Sequence, residues 1–296
     1  MATSRDDDRH HPVLDRLRMP PAVLGSLACP HCGHPIRPEG NALRCASGHS
    51  FDVAKEGYAG LLTGARPTGT ADTADMVRDR QGFQEAGHYA PLASRIAEAA
   101  APALVGGGLA ADVGAGTGYY LSRVLDRSSD ALGIGLDLSK YALRRAAKAH
   151  PRAGAAACDA WRGLPLRDGT VSVLLNVFAP RGADEFHRVL RPGGALVVVT
   201  PGADHLGELV GALGLVSVDA RKEERLEDTL SARFERTGGE DVAYPMRLPR
   251  PDALTVAGMG PSARHLAPGE LERRADALPD PVEVTASFRI GVYRPR

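Results

Sequence analysis

The stretch DVGAGTGYY, residues 112–120, decides how this chain is built. The apolar segment LAADVGAG reads as a short buried strand, and YYLSRVLDRS beyond the glycines has helical spacing. Gly114, Gly116 and Gly118 therefore sit in a strand-to-helix turn, where the backbone bends sharply and a ligand can approach closely. The spacing is GxGxG, not the GxGxxG dinucleotide fingerprint. By itself the turn leaves nicotinamide, flavin and S-adenosylmethionine open.

Outward from the turn, helices alternate with apolar strands. APLASRIAEAAAPAL is helical, ALGIGLDL is a strand, and SKYALRRAAKAH is a helix with Ser139 as its N-cap. AGAAACDA is a weak strand, VSVLLNVF a strong one, ADEFHRVL a helix and GALVVVTP another strand. This alternation predicts an α/β fold with a mainly parallel sheet and helices on both faces. Beyond residue 202, LGELVGALGL and the polar stretch Leu226–Arg236 are expected as helices, and PVEVTASFRIGVYRP as a strand.

Acids recur after successive strands. Asp112 precedes the first glycine, where a carboxylate could hold an amino acid ammonium directly or through water. Asp137 ends the next strand and could accept from two ribose hydroxyls. Asp159 follows the third strand, placed to accept from an adenine amino group. Together they favour S-adenosylmethionine and a Rossmann-like class I methyltransferase fold.

A second constellation lies at residues 29–49, CPHCGHPIRPEGNALRCASGH. Its spacing, Cys29-x2-Cys32-x12-Cys45-x3-His49, suits a tetrahedral Zn²⁺ site with no open position, hence a structural one. A segment of about 40 residues has little core of its own, so metal would stand in for hydrophobic burial. Cys158 lies apart, in a strand, and reads as a buried apolar residue. The organisation expected is a flexible leader over 1–24, a zinc-binding domain over 25–64, a linker over 65–85 and a methyltransferase domain over 86–296.

Lys plus Arg and Asp plus Glu both number 36, so the net charge is zero and nucleic acid gains no global attraction. Any such binding needs a local patch, for which Arg37, Arg44, Lys55, Arg66, Arg78 and Arg80 are candidates. The opening residues lack the apolar core of a secretory signal and no apolar run reaches membrane-spanning length, which predicts a cytoplasmic protein with reduced thiols.

These features resemble the 23S rRNA (guanine-N1)-methyltransferases of the RlmA and TlrB type over residues 27–296. The likeness rests on the zinc knuckle, HSFDVAKEGYAGLL, MVRDRQGFQEAGHYAPL, DVGAGTGYY, GLDLSKYALRRAAK, NVFAPR, VLRPGGALVVVTPGADHLGEL and YPMRL. It implies methylation of N1 of a guanine in a domain II hairpin loop of 23S rRNA near the peptide exit tunnel, and an association with macrolide (tylosin-type) resistance. It also implies a zinc domain that recognises RNA, a homodimer, and cofactor contacts at Tyr89, Ala115, Gly116, Thr117 and His205. Asn176, Phe178 and Arg181, on the loop after the fourth strand, are expected to hold the target base, with Arg181 donating to O6 and Phe178 stacking. A small-molecule methyltransferase and a non-enzymatic RNA-binding sensor of S-adenosylmethionine remain competing readings. Stripping the metal is expected to abolish RNA methylation while largely sparing cofactor binding; equal loss of both would mean that the knuckle merely props up the catalytic domain.

Overall fold

The structure, a computed structural model, describes residues 11–64, 71–215, 222–259 and 269–296, with the backbone alone at 222–226. Two short helices come first, α1 (Pro12–Arg16) and α2 (Pro21–Leu24). Each begins on a proline, whose fixed φ and missing N–H suit the first helical position. Strands β1 (Ile36–Glu39), β2 (Ala42–Cys45) and β3 (Ser50–Phe51) form an antiparallel ribbon.

Helix α3 (Ala74–Glu85) follows, capped by Thr73, whose hydroxyl accepts from the Met76 amide at 3.3 Å. Next come α4 (Ala90–Ala100), a 3₁₀ turn (Ala101–Leu104), β4 (Gly108–Val113), α5 (Tyr119–Arg127), β5 (Ala131–Asp137), α6 (Lys140–Ala146) and β6 (Ala153–Ala157). The chain continues through β7 (Val171–Val177), α7 (Ala183–Val189), β8 (Leu190–Pro201), α8 (Gly207–Leu213) and α9 (Lys222–Ser231). It closes with β9 (Phe234–Leu248), α10 (Arg250–Gly258), α11 (Glu270–Ala275) and β10 (Val282–Pro295). Among the described residues no helix is long and apolar enough to cross a membrane.

The main sheet runs β6-β5-β4-β7-β8-β10-β9, parallel through β8 and antiparallel at β10 and β9. Strand order reverses between β4 and β7, so a crevice opens there at the carboxyl ends of the strands. β7, in the middle, buries all seven of its residues, VSVLLNV. The glycine turn, the three acids and the Asn176–Arg181 loop all lie at that end.

Three expectations need correction. Residues 11–24 are no flexible leader: Val13 and Val23 are fully buried, and α2 packs on β5 and β6. The cause is a gap in the parallel pattern, because the β6–β7 crossover, 158–170, contains no helix to cover its side of the sheet. The N-terminal segment supplies that cover, and Gly154 of β6 is glycine because a Cβ there would lie 2.5 Å from Met19. The proposed linker 65–85 holds α3, with residues 65–70 outside the described residues. Finally, β9 begins at Phe234, inside the stretch expected to be helical. It is an edge strand, and the charges that hide its strand character, Glu235, Arg236, Glu240 and Asp241, also guard its open edge.

The ribbon is joined to the sheet by backbone. Leu27 bridges Leu166, and Ala59 runs parallel to β6 with its amide donating to Ala155 O at 3.0 Å. One continuous apolar core holds Leu27, Leu43 and Phe51 from the N-terminal module together with Ala111, Ile134 and Leu174 from the sheet.

Candidate functional site

The glycine turn has the backbone that only glycine adopts freely: φ is +79° at Gly114, +55° at Gly116 and +82° at Gly118. A Cβ on Gly114 would also fall 2.5 Å from the Ala179 methyl. Asp137 fastens the turn from the next strand. One of its carboxylate oxygens accepts from the Gly116 amide and the other from the Ser139 amide, each at 2.8 Å. Burial pushes its carboxyl up to about 6 against those two amides. Each oxygen keeps a further lone pair for a hydroxyl.

Asp112 is different. It is 1 % exposed, and neither carboxylate oxygen has a hydrogen-bond partner. Burial, and secondarily the Asp137 charge, push its carboxyl up to about 7. A buried acid in that condition fits a cationic ligand group, because an unpartnered carboxylate costs folding free energy that a bound ammonium would restore.

A cavity of about 780 Å³ lies over the turn. Tyr89, Gly114, Ala115, Gly116, Asp137, Asp159, Phe178, Arg181 and His205 line it, all singled out from sequence. Asp112, Thr117, Gly118 and Asn176 do not line it. Thr117 donates to Gln84 Oε1 at 2.7 Å, Gly118 caps α5, and Asn176 Nδ2 donates to Pro180 O at 2.8 Å, shaping the loop from within.

At one end, Tyr89 Oη and His205 Nε2 are 3.5 Å apart, and His205 Nδ1 accepts from the Ser287 amide at 3.3 Å. That acceptor role places the ring proton on Nε2, and burial pushes the imidazole down to about 4, so it is neutral. Tyr89 packs edge-on against Phe83 and Phe288, which fixes its ring.

At the other end, Phe178 is 44 % exposed and held at φ +54°, a left-handed conformation rare for a bulky residue. Arg181 buries its Nε without a partner, and burial lowers the guanidinium's affinity for its proton. Both residues line the cavity.

Sequence reasoning missed part of the wall. Asp72, Arg80 and Gln84 come from α3 and the residue run before it, the region read as linker. Arg80 pairs with Asp72, whose carbonyl accepts from Ser139 Oγ at 2.7 Å. The signal was the helical pattern within MVRDRQGFQEAGHY, masked by the Gly, Thr and Asp before it. The basic patch also changes character. Arg44 pairs with Glu39, Arg78 with Asp75 and Asp79, and Arg80 with Asp72; Arg37 and Lys55 are exposed, and Arg66 lies outside the described residues.

The cysteine cluster assembles as its spacing requires. His49 Nδ1 lies 3.5, 3.6 and 3.3 Å from the sulfurs of Cys29, Cys32 and Cys45, and all four ligand atoms fall within 4.8 Å of one another. Backbone amides of His31 and Cys32 donate to the Cys29 sulfur, where burial still pushes the thiol up, and that of His34 donates to the Cys32 sulfur and pulls its thiol down. The spacing of the four donors fits the small tetrahedron that Zn²⁺ prefers. The His31 ring stacks on His49 at 4.7 Å and buttresses the ligand. Cys158 is buried and apart from the cluster; burial pushes its thiol up, so it is inert.

Comparison with known proteins gives consistent matches to both halves. A family model described as the RlmA N-terminal zinc ribbon matches residues 27–64, and one for a methyltransferase domain matches 110–194. A Streptomyces fradiae protein, the 23S rRNA (guanine(748)-N(1))-methyltransferase, is 50 % identical over 276 residues, covering 92 % of this chain and 98 % of that one. A Micromonospora griseorubida protein, provisionally named a 23S rRNA (guanine-N(1)-)-methyltransferase, is 50 % identical over 295 residues, covering 94 % of this chain and 100 % of the other.

Proposed function

The chain belongs to the 23S rRNA (guanine-N1)-methyltransferase family, and from that premise we propose that it transfers a methyl group from S-adenosylmethionine to N1 of a guanine in 23S rRNA. Of the finer parts of this reading, a domain II hairpin loop as the target, a role in tylosin-type resistance and homodimerisation rest on the family resemblance, and a cytoplasmic setting on the sequence pattern of the opening residues.

The single observation that carries the chemistry is the cavity that joins the glycine turn to the Phe178–Arg181 loop. S-adenosylmethionine supplies an electrophilic methyl group when bound. Asp112 would serve its ammonium, His205 and Tyr89 its carboxylate end, Asp137 its ribose hydroxyls and Asp159 its adenine amino group. Across the cavity, Phe178 would stack on the guanine and Arg181 would donate to O6. Guanine N1 carries a proton at neutral pH, which would pass to solvent water as the new N–C bond forms. A guanidinium at O6 stabilises the charge that develops there as it does. Holding base and methyl donor in one cavity supplies the rest through positioning. Zinc, held by Cys29, Cys32, Cys45 and His49, would have a structural role.

Primer extension tests this. Purified protein, S-adenosylmethionine and 23S rRNA should yield a new reverse-transcriptase stop at one guanine, and Arg181→Ala should weaken that stop at unchanged cofactor affinity. Labelling of a metabolite extract with no stop on rRNA would transfer the reading to the small-molecule alternative.

A further inference from the structure

Among the described residues only four large apolar side chains are exposed, Leu14, Val105, Trp161 and Phe178, and two of these, Trp161 and Phe178, line the methyl-transfer cavity. Trp161 is the more prominent, 74 % exposed, and is the chain's only tryptophan. Its exposure is built in. The Trp161 amide donates to Asp159 Oδ1 at 3.1 Å, the Arg162 amide to Asp159 O at 2.9 Å, and the Cys158 amide to Asp137 O at 2.9 Å. Arg162 then reaches across to Thr63 O at 3.1 Å, tying the loop to the N-terminal module. A large aromatic held outward on a fastened loop is a surface waiting for a flat partner.

Trp161 also lines a second space. A cleft of about 730 Å³ lies between the zinc knuckle, at Cys29, Pro30, His31 and Gly33, and the 158–168 crossover. Asp159 and Trp161 border both spaces, so the cleft leads from the zinc ribbon to the cavity over the indole. Its charges cancel: Arg162, Arg167 and Arg188 face Asp159, Asp168 and Glu185. Phosphate attraction therefore contributes little here, and stacking is left as the means of holding a single strand.

We infer that Trp161 is a stacking platform for an unpaired base beside the target guanine, in a strand that lies in the cleft between ribbon and cavity. The inference rests on the rRNA reading above. Splayed loop bases stacked on aromatic side chains are the usual way proteins read unpaired RNA.

Because the tryptophan is unique, intrinsic fluorescence reports one site. Full-length zinc-loaded protein should be titrated with S-adenosylhomocysteine and, separately, with a synthetic 23S rRNA hairpin whose loop holds unpaired guanines. The hairpin should quench Trp161, with S-adenosylhomocysteine having a far smaller effect. By fluorescence anisotropy of labelled hairpin, Trp161→Ala should bind about 10-fold more weakly and Trp161→Phe should recover most of the loss. Calorimetry should find cofactor affinity unchanged in both variants. Quenching by S-adenosylhomocysteine, with cofactor affinity lost in Trp161→Ala, would overturn the inference and assign the indole to the adenine. Wild-type hairpin affinity in Trp161→Ala would overturn it outright. The rRNA reading fails separately, through the absence of a primer-extension stop with wild-type protein, whatever the fluorescence does.

Discussion

Asp112 carries the sharpest consequence of any single side chain. Its carboxyl is fully buried and raised to about 7, so the folded protein without ligand holds a proton that the unfolded chain has already lost. A carboxyl raised by folding contributes stability that is present below its unfolded value, near 4, and lost as pH rises through about 7. Asp112→Asn should therefore stabilise the ligand-free protein at pH 8 by up to ~4 kcal/mol, read as a higher melting temperature, with the two proteins converging as pH falls. Cofactor binding should move the opposite way. An ammonium needs the charged carboxylate, so wild-type affinity measured by calorimetry should fall between pH 7.5 and 5.5 by on the order of tenfold more than that of the variant. Parallel pH profiles would remove Asp112 from the ammonium site. This residue was legible because a strand end followed by glycines leaves few places for an acid. Asp72, Arg80 and Gln84 were not, since their approach to the turn depends on how α3 folds back, which no local spacing records.

At the scale of elements, the parallel core was legible because each strand is an apolar run bounded by turn residues. Strand β9 was not, because an edge strand is selected for charge, and its polar run looks like a helix or loop. The N-terminal helices escaped for another reason. Val13, Leu17, Val23 and Leu24 are too sparse to show a period, and α2 covers strands that their own helix-less crossover leaves bare. That crossover is fastened from α7: Arg188 donates to Leu166 O at 2.7 Å and to Leu164 O at 2.9 Å, and Glu185 accepts from the Leu164 amide at 2.7 Å. Helix α2 thus packs as part of the methyltransferase body, while α1 packs on β1 of the ribbon, where the Val13 amide donates to Gly40 O at 3.2 Å. Deleting residues 1–24 should lower the melting temperature by roughly 10 °C or more, since each Val or Leu removed from the core forfeits ~1.5–3 kcal/mol. Leu27→Ala, at the bridge to Leu166, should cost ~2–5 kcal/mol through the cavity it leaves. Differential scanning calorimetry measures both; an unchanged melting temperature in the deletion variant would restore the leader as a dispensable tail.

For the whole molecule the question is whether ribbon and methyltransferase body are two stabilities or one. The spacing of cysteines and glycines divides the chain into a metal module and a cofactor module, and on that division zinc removal should spare cofactor binding. The structure argues against the division. Leu27 and Ala59 pair with the sheet region through backbone, and Leu43 and Phe51 share one apolar core with Ala111, Ile134 and Leu174. Ala111 and Ile134 lie on β4 and β5, the strands that carry Asp112 and Asp137 at their carboxyl ends. Structural zinc contributes ~10–16 kcal/mol to the folding of small zinc modules, so its loss would open the ribbon and uncover that face of the sheet. Calorimetry of the zinc-loaded protein should show one transition, and treatment with a chelator should move that transition down as a unit. Cofactor affinity should fall with it and return on adding Zn²⁺. Two separable transitions, with the upper one and the cofactor affinity unmoved by the chelator, would make the ribbon an independent RNA-binding appendage.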